Sequence, residues 1–149
     1  LGEVLAGVPD YAEAAISPVE GTSAGVMVID VGIVGWGPVF RQPVRCVVKA
    51  GRMTEVGGGE DAERLRKALT TDENAPNIAE LGIGTSHTIP RVYGATRRDA
   101  GVAGMVHIAV GRNNDIGGQT SSRVHADGLM TRATIDLDGQ TVVRDGVLV

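Results

Sequence analysis

Glycine constrains the fold of this chain more than any other residue, because it accounts for 22 of the 149 residues, about twice its usual share. Aromatic residues are scarce, with one Trp, two Tyr and one Phe. This composition predicts many tight turns and strands that pack through Val, Ile, Ala and Leu. The length and a hydrophobic content of 42% suit one domain with its own core rather than two.

The order of apolar runs and turn signals predicts a strand-dominated α+β domain. The best helix is 60–69, where apolar residues recur at helical spacing and acidic residues open the first turn. Asp138-Gly139 and Asp145-Gly146 stand between apolar residues, as hairpin turns do. We expect about eight strands and one or two helices, without the regular βαβ alternation of a doubly wound sheet. The main strands are expected at 24–30, 43–50, 53–56, 77–83, 105–110, 127–130 and 134–137, with a loop that can hold a short helix between 83 and 105.

The charge pattern argues against nucleic acid as a partner. The net charge is -4, basic residues form no long run, and few aromatic side chains are available to stack on bases. No stretch approaches the roughly 20 apolar residues that a membrane helix needs. We therefore expect a cytoplasmic protein without nucleic-acid or membrane partners.

Two single residues carry further expectations. Cys46, the one cysteine, lies in the apolar run 44–48, so it is expected to be a small buried hydrophobe that forms no internal disulfide. The chain opens at Leu1, inside a segment with the pattern of a structured region. This start suggests a piece of a longer protein.

The strongest chemical signal is His125-Ala126-Asp127. In an extended segment, residues two apart share a face, so the imidazole and the carboxylate would lie side by side. Such a pair can chelate one divalent ion, although an ordinary ion pair has the same pattern.

Three further residues are candidates because of their apolar surroundings. His107 interrupts a strand of otherwise apolar residues, and Glu80 lies between Ala79 and Leu81 in another. A charge there is costly unless it is paired or bound to metal. Glu3 has a similar setting. The alternatives are a hydrogen-bonded core histidine and glutamates that face water at a strand edge.

The order of these motifs resembles the C-terminal metal-binding half of the aminopeptidase T family, thermophilic metalloproteases that are also called leucyl aminopeptidases. The resemblance spans nearly the whole chain, and the ordered set is more specific than any one motif. The matching segments are Gly2-Glu3-Val4, 77–85, 107–113, Gly117-Gly118 and His125-Ala126-Asp127.

The resemblance implies a site for two divalent ions held by Glu3, Glu80, His107, His125 and Asp127. Zinc, cobalt or manganese suits such a mixture of nitrogen and oxygen ligands. The implied activity is removal of N-terminal residues from peptides by a metal-activated water, with Glu80 as the catalytic residue. The relatives also imply a small peptide or other small molecule as substrate and a homodimer as the assembly, with this chain as a single metal-binding catalytic domain, 1–149, of a larger protein.

One departure from the peptidase pattern leaves two alternatives open. The tyrosine that the peptidases carry seven positions after the first histidine is Asn114 here. The same superfamily includes 2,5-dihydroxypyridine dioxygenase, a non-haem Fe(II) enzyme, and His107, His125 and Asp127 would form its triad of two histidines and one aspartate. The third hypothesis is a non-catalytic fragment or binding module in which the five residues are satisfied polar groups.

Overall fold

The computed structural model describes residues 11–149, where it contains eleven strands and two helices. The predicted α+β class, dominated by strands, is confirmed. The strands are β1 (Glu13–Ile16), β2 (Gly25–Ile29), β3 (Gly32–Ile33), β4 (Val44–Lys49), β5 (Arg52–Gly57), β6 (Ile78–Gly84), β7 (Val106–Gly111), β8 (His125–Met130), β9 (Ile135–Leu137), β10 (Gln140–Arg144) and β11 (Val147–Leu148). The helices are α1 (Glu60–Ala68) and α2 (Arg97–Ala100).

Antiparallel pairings build a main sheet with the strand order β1-β6-β7-β8-β3. One face of this sheet packs against a second sheet of order β2-β4-β5. The core between them is aliphatic and includes Ile29 and Cys46 from the second sheet and Val106 and Val110 from β7. Cys46 is fully buried and free, as the sequence predicts. The opposite face of the main sheet is therefore the one that can carry polar side chains.

Two-residue turns close three hairpins, and both central residues have positive φ in each of them. Asp138 (φ 51°) and Gly139 (φ 81°), for example, join β9 to β10. A type I′ turn requires positive φ at both positions and matches the twist of the strands that it joins. The predicted Asp-Gly hairpins are thus confirmed. The three turns are Ala50-Gly51, Asp138-Gly139 and Asp145-Gly146.

The two helices have different roles. Helix α1 carries acidic residues in its first turn and basic residues in its last, which suits the helix dipole, and it buries Ala62 and Leu65. Helix α2 is a single turn whose Thr96 cap and Asp99 form a capping box. Ala100 of α2 packs with Leu129 of β8, so this short helix lies on the polar face of the main sheet.

The structure differs from the sequence prediction mainly at short edge strands. The sequence does not predict β1, because Glu and Ala, which make up most of Glu-Ala-Ala-Ile, have low strand propensity. β8 begins at His125 rather than at 127, which brings this histidine into the sheet. Neither helix of the described region is long and apolar enough to cross a membrane.

Candidate metal centre

The register of β6, β7 and β8 brings three candidate residues to one face of the main sheet. Glu80 of β6 and Asp127 of β8 both pair with Ala109 of β7, from its two sides. His107 lies two residues before Ala109 and pairs with Gly82. Because directly paired residues share a face and the side-chain period of a strand is two, the three side chains converge.

The two imidazoles and three carboxylates of the site form one connected cluster. His107 Nε2 lies 3.4 Å from Glu13 Oε2 and 3.3 Å from Glu80 Oε1. His125 Nε2 lies 3.2 Å from Glu80 Oε2 and 3.1 Å from Asp127 Oδ1. Glu80 therefore gives one oxygen to each histidine and joins the two halves of the cluster.

Two overlapping groups in this cluster could each hold a metal ion. Glu13, Glu80 and His107 form one group, and Glu80, His125 and Asp127 form the other; in each, the ligand atoms lie within 4.8 Å of one another. Within residues 11–149, the triad of His107, His125 and Asp127 does not form such a group. Glu80 lies between the two histidines and contacts each of them with one carboxylate oxygen.

The cluster is buried and rich in negative charge. The exposed fractions of the side chains are 2% for His107, 6% for Glu13, 8% for Glu80, 17% for His125 and 18% for Asp127. Three carboxylates shielded from water in this way are costly unless protons or a cation compensate them. Mixed imidazole and carboxylate donors suit divalent transition metals, so the donor set fits such an ion.

Where no metal is bound, protons on the imidazoles compensate the charge of the buried carboxylates. Burial raises the pKa of Glu80, but hydrogen bonds and charges from His107 and His125 outweigh burial and lower it to about 2. Burial lowers the pKa of His125, but Asp127 and Glu80 outweigh it and raise the pKa to about 10. The pKa of His107 is also raised, because Glu80, Asp127 and Glu13 overcome its burial. A metal ion and protons would thus compete for the same imidazole nitrogens.

Hydrogen bonding fixes which nitrogen of His125 faces the cluster. Its Nδ1 lies 2.8 Å from the backbone oxygen of Arg112 and donates a proton there, so Nε2 is directed at Glu80 and Asp127. Asp127 Oδ1 is buried and receives no hydrogen bond of good geometry from the described residues, although it lies 3.1 Å from His125 Nε2. A bound cation would satisfy this carboxylate oxygen, which lies beside an imidazole nitrogen.

Gly82 creates the space in which the ring of His107 lies. A Cβ atom at this position would stand 2.0 Å from His107 Nε2 and 2.1 Å from Cε1. The imidazole therefore lies across β6 where any other residue would place a side chain. Part of the high glycine content of the chain is explained by this close approach.

The structure brings together four of the five predicted ligands: Glu80, His107, His125 and Asp127. Glu3 lies outside the described residues, and Glu13 occupies the fifth position of the observed cluster. Glu13 stands between Ala12 and Ala14, so the signal that singled out Glu80, a carboxylate in an apolar setting, was present there too. His87 is exposed and lies outside the cluster. That the clustered residues ligate a metal, and that Glu80 is catalytic, stay predictions.

A cleft of about 610 Å³ opens onto the cluster. Its walls come from β1, α2 and the loop after β7. Tyr11 donates a hydrogen bond from its hydroxyl group to the carboxylate of Glu13. The remaining lining residues include Ala15, Ile16, Arg97, Ala100, Arg112, Asp115, Ile116 and Gly117. A cleft of this size is suited to a small organic molecule.

Glu20 holds the loop that forms one wall of the cleft. Its Oε1 accepts hydrogen bonds from Thr120 Oγ1 (2.7 Å), the backbone N–H of Gln119 (3.0 Å) and Asn113 Nδ2 (3.0 Å). These bonds, that from Thr120 foremost, lower the pKa of Glu20 to about 2.

The loop is expected to lose stability in acid. Because the pKa of Glu20 is lower in the folded state than its ordinary 4.5, its contribution is complete above about pH 4.5 and is lost as the pH falls towards 2. The Glu20→Gln variant should lose less of its free energy of unfolding over this pH range than the wild type. Urea denaturation at several pH values measures this, and identical pH dependence in the two proteins would contradict the assignment.

The fold and the donor set together define a class of protein in which candidate metal ligands lie on one face of an antiparallel sheet, beneath a cleft. The model of the NicX family, 2,5-dihydroxypyridine 5,6-dioxygenase, matches residues 11–149. The chain belongs to this family.

Solved structures that are similar to the chain include those of a dioxygenase and of AmpT. The 2,5-dihydroxypyridine dioxygenase of Pseudomonas putida KT2440 has a TM-score of 0.75 and 26% sequence identity, over 89% of this chain and 42% of that one. AmpT from Thermus thermophilus has a TM-score of 0.71 and 21% identity, over 92% of this chain and 39% of that one. The chain thus spans about two fifths of the length of both structures. Comparison with curated proteins finds no match.

These comparisons correct the hydrolase interpretation of the sequence. The expectation of a metalloprotease or leucyl aminopeptidase is wrong, because the family that matches is that of the dioxygenase. The likeness to AmpT, at 21% identity, is one of fold. The physical reason for the error is that the sequence motifs describe candidate ligands on a sheet, and the two solved structures share this fold.

Proposed function

We propose that the protein is a metal-dependent dioxygenase that opens the ring of a dihydroxypyridine or a close analogue. The match of the dioxygenase family over residues 11–149 carries this proposal. The buried donor set and the cleft above it support it, because ring opening by molecular oxygen needs a redox-active metal next to a site for a small planar molecule. We also propose that these residues form the metal-binding catalytic domain of a larger protein.

The proposed metal is Fe(II), and the group that would hold it is Glu80, His125 and Asp127. One imidazole and two carboxylates within 4.8 Å of one another are suitable ligands, and the hydrogen bond to Arg112 already orients the imidazole. Bound there, Fe(II) would supply the redox chemistry with oxygen. Glu80 also contacts His107, and His107 contacts Glu13. Glu80 would therefore keep both of these residues beside the metal.

The other residues of the cleft would bind the substrate and handle its protons. Ala15, Ala100 and Ile116 offer apolar surface to the face of an aromatic ring. A dihydroxypyridine loses a hydroxyl proton when it binds as an anion, and the carboxylate of Glu13, buried beside His107, lies next to the proposed ligands to receive it. The walls of the cleft would also limit access of water to the reacting ring.

The direct test is iron content together with oxygen-dependent consumption of 2,5-dihydroxypyridine. Protein purified without chelator and reconstituted with Fe(II) under argon is expected to bind one iron per chain. After air is admitted, the substrate should disappear with uptake of one O₂ per molecule consumed. His125→Ala should lose both properties, because it removes the one nitrogen ligand of the proposed group.

The matched control is His87→Ala, which removes an exposed histidine outside the cluster and should change neither property. Retention of iron and activity by His125→Ala would refute the proposed site. Failure of the reconstituted wild type to consume the diol or a carboxylated analogue of it would refute the proposed function.

A further inference from the structure

Arg97 lines the cleft from the side of α2, one helical turn from Ala100, which also lines it. The guanidinium carbon lies 5.7 Å from the centre of the Tyr11 ring, within the range of a cation–π contact. Tyr11 is itself held by its hydrogen bond to Glu13. The charged group of Arg97 is therefore positioned at the cleft by an aromatic ring that is tied to the cluster.

Arg97 has no carboxylate within ion-pair distance among residues 11–149, unlike the other arginine of the cleft. Arg112 Nε lies 3.3 Å from Asp115 Oδ2, so the charge of Arg112 already has a partner. Some exposed arginines elsewhere are paired in the same way, for example Arg132 with Asp145 at 3.0 Å, whereas others in the described residues, such as Arg45, are not. Arg97 thus brings to the cleft a cation that has no ion-pair partner among residues 11–149, beside the donor cluster.

A bound metal ion would increase this imbalance. The carboxylates of Glu80 and Asp127 would then be neutralised by the ion, so they would compensate Arg97 less than they do in the free protein. A neutral diol would leave the guanidinium without an anion. The N–H groups of a guanidinium that makes a cation–π contact can still donate two hydrogen bonds to a planar carboxylate.

We propose that Arg97 is the anion-binding residue of the substrate site and that the substrate is a small hydroxylated ring that carries a carboxylate. This inference rests on the proposed function, since it names the substrate class of the same cleft. Arg97 selects the substrate by its acid group, while the donor cluster and its metal hold the ring hydroxyls.

The experiment compares two probes that differ in the acid group alone: 2,5-dihydroxypyridine and 2,5-dihydroxynicotinate. Binding to the Fe(II)-loaded protein is measured by calorimetry under argon, so that no turnover occurs. The wild type is expected to bind the carboxylate about 5-fold more tightly than the diol, because water weakens a charge-assisted hydrogen-bonded pair at an exposed guanidinium. Arg97→Gln should remove the preference and leave the affinity for the diol unchanged, whereas Arg97→Lys should keep part of it.

The control is Arg45→Gln, which removes an exposed charge from β4 in the other sheet and should preserve the preference. Equal affinity of the wild type for the two probes would overturn the inference while the proposed function stands. A loss of affinity for both probes in Arg97→Gln would also overturn it, because Arg97 would then contribute to binding of the ring as well as of the acid group. If neither probe binds the loaded wild type, the proposed function and this inference are both wrong.

Discussion

Replacing Gly82 with alanine is expected to weaken metal binding by roughly 100-fold, the upper end of what the loss of a group that orients a ligand costs. The new Cβ would lie 2.0 Å from His107 Nε2, a distance at which one of the two groups must move. The imidazole has little room, because it is 2% exposed and its Nε2 already faces Glu13 and Glu80. Displacing the ring would push on Glu80, which both ligand groups share.

The matched control is Gly57→Ala, the same substitution at the end of β5. There the new Cβ would meet its nearest atom, the backbone oxygen of Arg45, at an ordinary 3.7 Å. Competition with a chromogenic chelator measures the affinity of both variants for Fe(II) or Co(II), and far-ultraviolet circular dichroism checks that each is folded. Wild-type affinity in a folded Gly82→Ala protein would show that the position of His107 does not matter to the site.

Replacing Asp99 with alanine is expected to lower the free energy of unfolding by about 3 to 5 kcal/mol, as removal of one partner from a buried, charged hydrogen-bond network does. The carboxylate is fully buried and accepts hydrogen bonds from the backbone N–H groups of Tyr93, Gly94 and Thr96 and from the Thr96 hydroxyl. Alanine would leave these donors unpaired and remove the capping box of α2, the helix that carries Arg97 and Ala100 into the cleft.

Asp61→Ala provides the comparison for this variant. Asp61 accepts one backbone hydrogen bond, from Arg41 at 2.9 Å, in an exposed setting at the start of α1. Its removal should cost about 1 kcal/mol or less. Chemical denaturation of the wild type and both variants measures the difference. A loss below about 1 kcal/mol for Asp99→Ala would mean that water replaces the carboxylate easily at this position.

Local features of the sequence predicted the elements that depend on neighbouring residues. The Asp-Gly pairs form hairpin turns, because positive φ at both central positions is a property of the dipeptide itself. The helix predicted at 60–69 ends one residue early, at Ala68, but the sequence shows its amphipathic pattern and its charged ends. His107 and Glu80 were identified as candidates for a similar reason, since polar groups in apolar strands are costly without a partner. His125 and Asp127 were identified by their spacing of two residues.

The sequence alone did not identify Glu13, the pairing of Glu80 with both histidines or the division into two ligand groups. These depend on the order β1-β6-β7-β8 and on register, which are set by contacts between residues far apart in the chain. Glu13, for example, meets His107 only because edge strand β1 lies beside β6, and Glu80 meets it because β6 pairs with β7.

The chain by itself therefore determined the α+β class, the hairpins and most of the polar residues of the site, because each follows from local conformational preference or from the cost of burying a charge. Only the tertiary structure decided which carboxylate faces which imidazole, that Gly82 must lack a side chain, and that Arg97 lines the cleft beside Tyr11. The physical reason is that strand pairing converts distant sequence positions into neighbours a few ångströms apart, and coordination chemistry depends on those distances rather than on order along the chain.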